Sequence, residues 1–126
     1  MKVEKGLFYT KDHEWVKVDG NEVLVGISDY AQDHLGDIVY VELPDVDDEL
    51  DKGDAIASIE SVKAASDAFS PFAGKVLAVN EDLDDDPALI NSDAYGSWIV
   101  KLEVENPSTD DLMNDEDYEK FLAEEA

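Results

Sequence analysis

The sequence contains no cysteine. This absence excludes a disulfide framework, a thiolate nucleophile and a metal site built on cysteine. Any sulfur redox chemistry would therefore depend on a group added to the chain.

Long apolar runs are also missing, and none approaches the length of a membrane span. The first residues, Met1 to Lys5, lack the apolar stretch of a secretory signal, and the acidic residues that follow are unlike a transit peptide. We therefore expect a cytoplasmic protein that does not enter a membrane.

Cations are scarce, with 9 Lys+Arg against 33 Asp+Glu and a formal net charge of −24. This charge repels the phosphates of nucleic acids and disfavours docking on anionic membranes, so neither is an expected partner. The acidic residues are spread through predicted turns, as on a solvated surface. Three explanations of the acidity stay open: solubility, life in high salt, and steering toward basic partner proteins.

Catalytic motifs are absent as well. The chain has neither a nucleophile elbow nor a phosphate-binding glycine loop. His13 and His34 lack metal-ligand spacing, and the run Asp84-Asp85-Asp86 is ordinary in so acidic a chain. We expect no catalytic residue, no metal site and no enzymatic activity of the chain's own.

The length and composition of the chain suit one domain, residues 1–126, because 126 residues with a hydrophobic fraction of 44% can bury a modest core. Most of the chain reads as short strands between turn signals, with an acidic loop at Asn80 to Asp86. The predicted strands outside the central hairpin are Trp15 to Val18, Val23 to Ile27, Ile38 to Leu43, Lys75 to Val79 and Trp98 to Val104. This pattern predicts a mainly β fold, a small antiparallel β-sandwich or flattened barrel.

Helix is predicted in two places only. Ser28 is placed to cap a short internal helix that runs through Leu35 with one buried face, and Gly36 is placed to end it. The C-terminal helical segment is expected at about 108–124, with its amphipathic helix at Asp115 to Ala123.

The chain is organised around Lys63. Two short strand-like runs, Ala55 to Ile59 and Ala65 to Phe69, flank this lysine, and each ends at a breaker that contains glycine. Two antiparallel strands of this length need a tight turn between them, so we predict a hairpin over about 55–69 with Lys63 at its tip. Small or apolar neighbours leave room for a partner surface to close over the amine. The alternative is that Lys63 is an ordinary solvated charge.

The stretch Glu60-Ser61-Val62-Lys63-Ala64, followed by Asp67, resembles the lipoylation site of the H-protein family of the glycine cleavage system. The resemblance continues in the same order over nearly the whole chain, which makes it far more specific than one pentapeptide. The further matching stretches are YTKDHEWV at 9–16, VGISDYAQDHLGDIVYVEL at 25–43, Lys52-Gly53-Asp54, Ser70-Pro71 with Gly74, and YEKFL at 118–122.

This resemblance implies a fold of the lipoyl-domain (barrel-sandwich hybrid) type and lipoic acid in amide linkage to Lys63. The ring of that group holds a strained disulfide that a nucleophile opens, so the attached group carries the chemistry and the protein presents it. Glu60, Ser61, Val62 and Ala64 would form the surface that a lipoyl-attaching enzyme reads.

The resemblance also implies a monomeric carrier with three successive partners. A pyridoxal-phosphate glycine decarboxylase (P-protein) would load the aminomethyl group of glycine, and a tetrahydrofolate-dependent aminomethyltransferase (T-protein) would remove it. Dihydrolipoamide dehydrogenase (L-protein) would then reoxidise the dithiol.

Family members fold the loaded arm into a cleft on their own surface. The family's cleft carboxylate matches Glu14, which could pair with the aminomethyl ammonium, and His34 and Asp67 match positions near the arm. The alternative for Glu14 and Asp67 is a solvent-facing carboxylate, and for His34 a packed helix residue.

Other functions stay open beside glycine cleavage. They are a lipoyl relay to other enzymes, a carrier of another complex, and an unmodified interaction module. A biotin carrier is disfavoured because Val62-Lys63-Ala64 lacks the methionines that usually flank a biotinyl lysine. Asp93 to Trp98 departs from the family pattern, since it is shorter and lacks a proline and a second glycine, and its shape is not predicted.

Overall fold

The computed structural model describes residues 2–125, and within this range the chain forms nine strands and four helices. The strands are β1 (Phe8–Tyr9), β2 (Glu14–Asp19), β3 (Glu22–Ile27), β4 (Ile38–Glu42), β5 (Glu49–Leu50), β6 (Ala55–Ser61), β7 (Ala65–Phe69), β8 (Gly74–Val79) and β9 (Val100–Glu103). The helices are α1 (Asp29–Leu35), α2 (Asp82–Asp85), α3 (Leu89–Ser92) and α4 (Asp115–Glu125).

The strands lie in two antiparallel sheets. The larger sheet has the order β1-β2-β3-β9-β8-β5, and the smaller has the order β4-β6-β7. Apolar residues from both sheets form one buried core, to which Val25 and Leu102 contribute from the larger sheet and Val41 and Ile59 from the smaller. Two sheets packed through a shared core are a β-sandwich, which confirms the predicted mainly β, antiparallel fold.

Strand β9 has the alternating burial that its alternating apolar and charged residues predicted. Val100 and Leu102 are fully buried, whereas Lys101 is half-buried and Glu103 is exposed. Successive side chains of a strand point to opposite faces, so one face enters the core and the other meets water. The strand is shorter than the predicted Trp98 to Val104 at both ends.

Helix α1 begins and ends as predicted. The Ser28 hydroxyl accepts a hydrogen bond from the Ala31 N–H at 3.2 Å, and Gly36, at φ 81°, ends the helix by donating its N–H to the Gln32 carbonyl. The predicted buried face of α1 is only half-buried: Ala31 and Leu35 pack against the core without being fully buried, and His34 is exposed. Its apolar side is only half-covered because that side lines a cleft.

The prediction of an acidic loop at 80–86 was wrong, because α2 occupies Asp82–Asp85. Helix α3 follows closely, so the prediction that helix is confined to two places was wrong as well. Leu83 and Ile90 are fully buried and attach the two short helices to the core. Acidic residues favour the first turn of a helix because they face its positive end, which allows so charged a segment to be helical.

The C-terminal helix α4 begins at Asp115, so the first part of the predicted helical segment at 108–124 is not helix. The Asn114 side chain accepts a hydrogen bond from the Asp117 N–H at 2.8 Å, as a helix cap does. Tyr118, in the first turn of α4, is fully buried and stacks parallel to Tyr9 with ring centroids 4.2 Å apart. Helix α4 is thereby attached to the larger sheet.

The loop at 93–98, whose shape was not predicted, is held by side-chain hydrogen bonds. Asp93 accepts from the Gly96 N–H at 3.0 Å, and the Ala94 carbonyl accepts from the Trp15 indole N–H at 3.0 Å. The Ser97 hydroxyl donates to the Leu89 carbonyl at 3.1 Å. This loop therefore covers Trp15 without the missing proline and glycine.

Candidate functional site

Lys63 lies at the tip of the hairpin between β6 and β7. The Ser61 N–H donates to the Ala64 carbonyl at 2.8 Å, which closes a turn with Val62 and Lys63 at its centre. The Ser61 hydroxyl oxygen also accepts from the backbone N–H groups of Ala64, at 3.0 Å, and Lys63, at 3.3 Å. The sequence placed the turn correctly because its signals are local.

The surroundings of the tip are open. Lys63 and Ala64 are exposed, Val62 is 68% exposed, and Glu60 faces solvent at the end of β6. Among the residues that the structure describes, no carboxylate lies within ion-pair distance of the Lys63 amine. The amine is therefore accessible to an enzyme that would modify it.

Two contacts connect the tip to the end of α1. The Val62 N–H donates to the Asp37 carbonyl at 3.0 Å. The stem of Lys63 lies against Gly36, so that a Cβ added to this glycine would be 3.3 Å from Lys63 Cε. The Asn91 side chain fixes the same helix end by donating to the Gly36 carbonyl at 2.9 Å and accepting from the Ile38 N–H at 2.8 Å. The Lys63 side chain thus lies beside the C-terminal end of α1.

A cleft of about 320 Å³ lies along α1. Its lining residues include Asp12, His13, Glu14, Tyr30, His34 and Asp67, with apolar wall from Ala31, Leu35 and Ile59. The three predicted cleft residues, Glu14, His34 and Asp67, therefore come from β2, α1 and β7 and meet at one place. A larger hollow of about 660 Å³, lined by residues such as Glu49, Lys75 and Glu103, contains none of the predicted site residues.

Glu14 forms the most buried polar part of this cleft, being 2% exposed. One carboxylate oxygen accepts from the Thr10 hydroxyl at 2.7 Å, and the other accepts from the Phe69 N–H at 3.1 Å. Burial raises the pKa of Glu14 to about 7, although these two hydrogen bonds oppose the rise, and the nearby charge of Asp12 adds to it. Glu14 is therefore not a solvent-facing carboxylate.

Three rings follow one another along the cleft wall. The ring centroid of His13 lies 4.5 Å from that of Tyr30, which lies 4.1 Å from that of His34. His34 is exposed, so it is not a packed helix residue, and Asp67 is exposed on β7. Asp12, His13 and Tyr30 also line the cleft, and they were not predicted as site residues although the stretches matching the family include them.

Within residues 2–125, no three or more His, Asp or Glu side chains are grouped so that they could hold a metal ion. Among residues 2–125, no helix is both long and apolar enough to cross a membrane.

A small antiparallel sandwich that presents one lysine at a hairpin turn is typical of the class of domains that carry a lipoyl group. The family model described as glycine cleavage H-protein matches residues 7–125, and the chain therefore belongs to that family. The family provides the lipoyl carrier of the glycine cleavage system, and such a protein is a carrier subunit that does not itself catalyse the reactions.

Relatives match the chain over nearly its full length. The chain is 58% identical over 127 residues to a glycine cleavage system H protein of Alkaliphilus oremlandii, covering 100% of both chains. It is 56% identical over 124 residues to one of Listeria monocytogenes, covering 97% of this chain and 99% of the other. The crystal structure of a glycine cleavage system H protein from Mycobacterium marinum superposes with a TM-score of 0.88 at 32% identity, covering 96% of this chain and 99% of that one.

Proposed function

We propose that the Lys63 amine carries lipoic acid in amide linkage, and that Glu60, Ser61, Val62 and Ala64 form the surface read by the lipoyl-attaching enzyme. The observation that supports this most is the open environment of Lys63 on a turn fixed by the Ser61 side chain. When attached, the lipoyl group supplies a ring disulfide that takes up a carbon group and is restored by oxidation. The chain's own residues hold and shelter it.

The residues present fit such a group. The Lys63 side chain lies beside the end of α1, and the cleft of about 320 Å³ runs along the same helix. Ala31, Leu35 and Ile59 offer an apolar wall to a hydrocarbon arm. Glu14 pairs with Ile27 just before α1 begins, so it offers an acid at the end of the helix far from Lys63. An aminomethyl group carries an ammonium charge that an empty arm lacks. A buried carboxylate therefore attracts the loaded arm in particular, because ion pairs strengthen as water is excluded.

We assign the charge-pairing role to Glu14 and place His34 and Asp67 beside the arm. The shelter matters because the aminomethyl group is labile in water, and a dry cleft slows its loss. The partners in this cycle are the P-protein, which loads the arm, the T-protein, which unloads it, and the L-protein, which reoxidises it. The carrier works as a monomer in the cytoplasm.

The attachment site is tested by the intact mass of protein made in cells supplied with lipoate. The wild type should gain a lipoyl-sized increment, and Lys63→Arg should lose it. Lys52→Arg is the matched control, because Lys52 is another exposed lysine in a tight turn and should leave the increment unchanged. A biotin-sized increment would instead favour the rival carrier, and no increment at all would favour an unmodified interaction module.

The shelter is tested on lipoylated protein loaded by the P-protein. Glu14→Gln removes the charge with little change in volume, so the loaded form should lose its aminomethyl group several-fold faster while lipoylation stays normal. Glu103→Gln, an exposed acid of β9 outside the cleft, should behave as the wild type. Equal lifetimes in all three proteins would exclude a cleft role for Glu14. Normal lipoylation together with failure to accept a group from the P-protein would favour the lipoyl relay.

A further inference from the structure

Tyr118 belongs to the C-terminal helix, yet its hydroxyl group contacts two segments that build the cleft. The hydroxyl oxygen lies 2.8 Å from His13 Nδ1 and 2.7 Å from the Ser28 hydroxyl oxygen. His13 precedes Glu14 in the chain and lines the cleft, whereas Ser28 caps α1, which contributes Tyr30 and His34 to the cleft lining. One buried hydroxyl group therefore contacts a side chain of each segment, and the bond from the Ser28 N–H to the His13 carbonyl, at 2.9 Å, joins the same two segments through the backbone.

The first of these segments is held in an unusual backbone conformation. His13 has φ 69°, in the left-handed region that few non-glycine residues adopt. Its N–H donates to the Thr10 carbonyl at 3.1 Å, and its carbonyl accepts from the Ser28 N–H at 2.9 Å. Such a conformation persists only where its surroundings hold it, and the contact with Tyr118 is part of those surroundings.

The second segment depends on Ser28, which is fully buried. Its hydroxyl group caps α1 through Ala31 and its carbonyl accepts from the Gln32 N–H at 3.1 Å. The contact with Tyr118 fixes the rotamer of the Ser28 side chain, and this rotamer sets where α1 begins. Helix α1 in turn carries Tyr30 and His34 into the cleft wall.

We propose that Tyr118 is a positioning residue for the arm cleft: its hydroxyl group adds a side-chain link between His13 and Ser28 to their backbone bond, so that the C-terminal helix holds the His13 ring and the start of α1 in place. This inference rests on the proposed sheltering function. It assigns to α4 a role that packing alone does not require, because the Tyr118 ring would stack on Tyr9 equally well without a hydroxyl group.

Tyr9 provides the matched control. It is as fully buried as Tyr118, and the two rings stack on each other. The Tyr9 hydroxyl group, however, donates to the Glu4 carbonyl at 2.7 Å, and Tyr9 does not line the cleft. Tyr118→Phe and Tyr9→Phe therefore each delete one buried hydroxyl group from the same aromatic stack. Only the first deletion removes the side-chain link between His13 and Ser28.

The first readout uses the unlipoylated chain. Amide hydrogen exchange of Glu14, Ala31 and Gln32 should quicken roughly three- to tenfold in Tyr118→Phe, the size expected when about one hydrogen bond's stabilisation is lost locally. Tyr9→Phe should leave these amides unchanged. Unchanged exchange in Tyr118→Phe would overturn the proposal.

The second readout is the lifetime of the aminomethyl group on the loaded form, with Tm measured for every variant. Tyr118→Phe should shorten this lifetime several-fold at a Tm similar to that of Tyr9→Phe, and His13→Asn, which removes the other partner and tolerates a left-handed φ, should shorten it too. If Glu14→Gln shortens the lifetime but Tyr118→Phe does not, the positioning role fails and the sheltering function stands. If neither shortens it, the sheltering function fails and the positioning role fails with it.

Discussion

Glu14 and Phe69 lie 55 positions apart in the chain and on different sheets, yet a carboxylate oxygen of Glu14 accepts the Phe69 N–H at 3.1 Å. This hydrogen bond ties the start of β2, in the larger sheet, to the end of the hairpin that carries Lys63, in the smaller. The acid at the far end of the cleft is thus also a link between the two layers of the sandwich.

The raised pKa of Glu14 predicts a specific pH dependence of stability. Below about pH 4.5 the group is protonated in both folded and unfolded chains, whereas between about 4.5 and 7 it is protonated only when folded. The wild type therefore loses stability as pH rises through this window, by about 3 kcal/mol at most, since one pKa unit corresponds to 1.36 kcal/mol. Glu14→Gln lacks this loss, so its unfolding free energy relative to wild type should rise over the same window.

Urea unfolding of the two proteins at a series of pH values measures that difference. Comparing them cancels the titration of the many exposed acids that both share. Glu103→Gln serves as the control, because an exposed acid should give a difference that is flat with pH. A flat difference for Glu14→Gln as well would contradict the raised pKa.

The turn at the hairpin tip predicts an effect of Ser61 on modification. Ser61→Ala removes the side-chain acceptor of the Lys63 and Ala64 N–H groups, so the turn should loosen and the rate of lipoylation should fall several-fold. Stability should fall by only about 0.5–1 kcal/mol, because these groups are exposed and water replaces the lost bonds. Ser61→Thr should restore the rate, and Ser66→Ala, an exposed serine outside the turn, should not change it. A wild-type rate in Ser61→Ala, followed by mass spectrometry, would mean that the enzyme does not read this turn geometry.

The features that the sequence predicted are those determined by near neighbours. Lys63 stands between two short strands with breakers beyond them, and Ser28 and Gly36 stand at the two ends of one short helix. Each of these signals acts within a few residues, so a pattern of single residues was enough. The short helix α2 escaped the same reasoning because its aspartates read as a loop, while the burial of Leu83, which holds it in place, depends on the rest of the core.

The electrostatics of the cleft could be predicted only in part. Resemblance placed Glu14 in a cleft, but its burial follows from contacts with Thr10 and with the distant Phe69. The contact between Ser28 and Tyr118 spans 90 positions and leaves no local trace in the sequence. Long-range contacts of this kind are decided by the packing of sheets and helices, which periodicity does not encode.

Close packing at Trp15 predicts that Gly26 tolerates no side chain. The two residues face each other across β2 and β3, and a Cβ on Gly26 would lie 2.6 Å from Trp15 ring atoms. The ring is fully buried and its N–H is engaged with Ala94, so it cannot move aside easily. Gly26→Ala should therefore destabilise the fold by about 2–4 kcal/mol through overpacking and change the tryptophan fluorescence.

Gly20→Ala is the comparison for Gly26→Ala. Gly20 lies in the turn between the same two strands, where an added Cβ meets nothing within 4 Å, although φ is 63°. Its substitution should cost roughly 1 kcal/mol from backbone strain alone and leave the fluorescence unchanged. Equal losses of stability in the two variants, measured by thermal unfolding, would argue against overpacking at Trp15.

The contact between Gly36 and the Lys63 stem predicts that the end of α1 guides the arm. Gly36→Ala would strain a backbone with φ 81° and would also place a Cβ 3.3 Å from Lys63 Cε, which pushes the stem away from the helix that leads to the cleft. Gly53→Ala imposes comparable strain at φ 91° in open space. Both variants should lose about 1–3 kcal/mol of stability. At a temperature where both are folded, only Gly36→Ala should lose its aminomethyl group faster than the wild type, by several-fold. If the two variants keep the aminomethyl group equally long, the position of the arm does not depend on the absence of a side chain at Gly36.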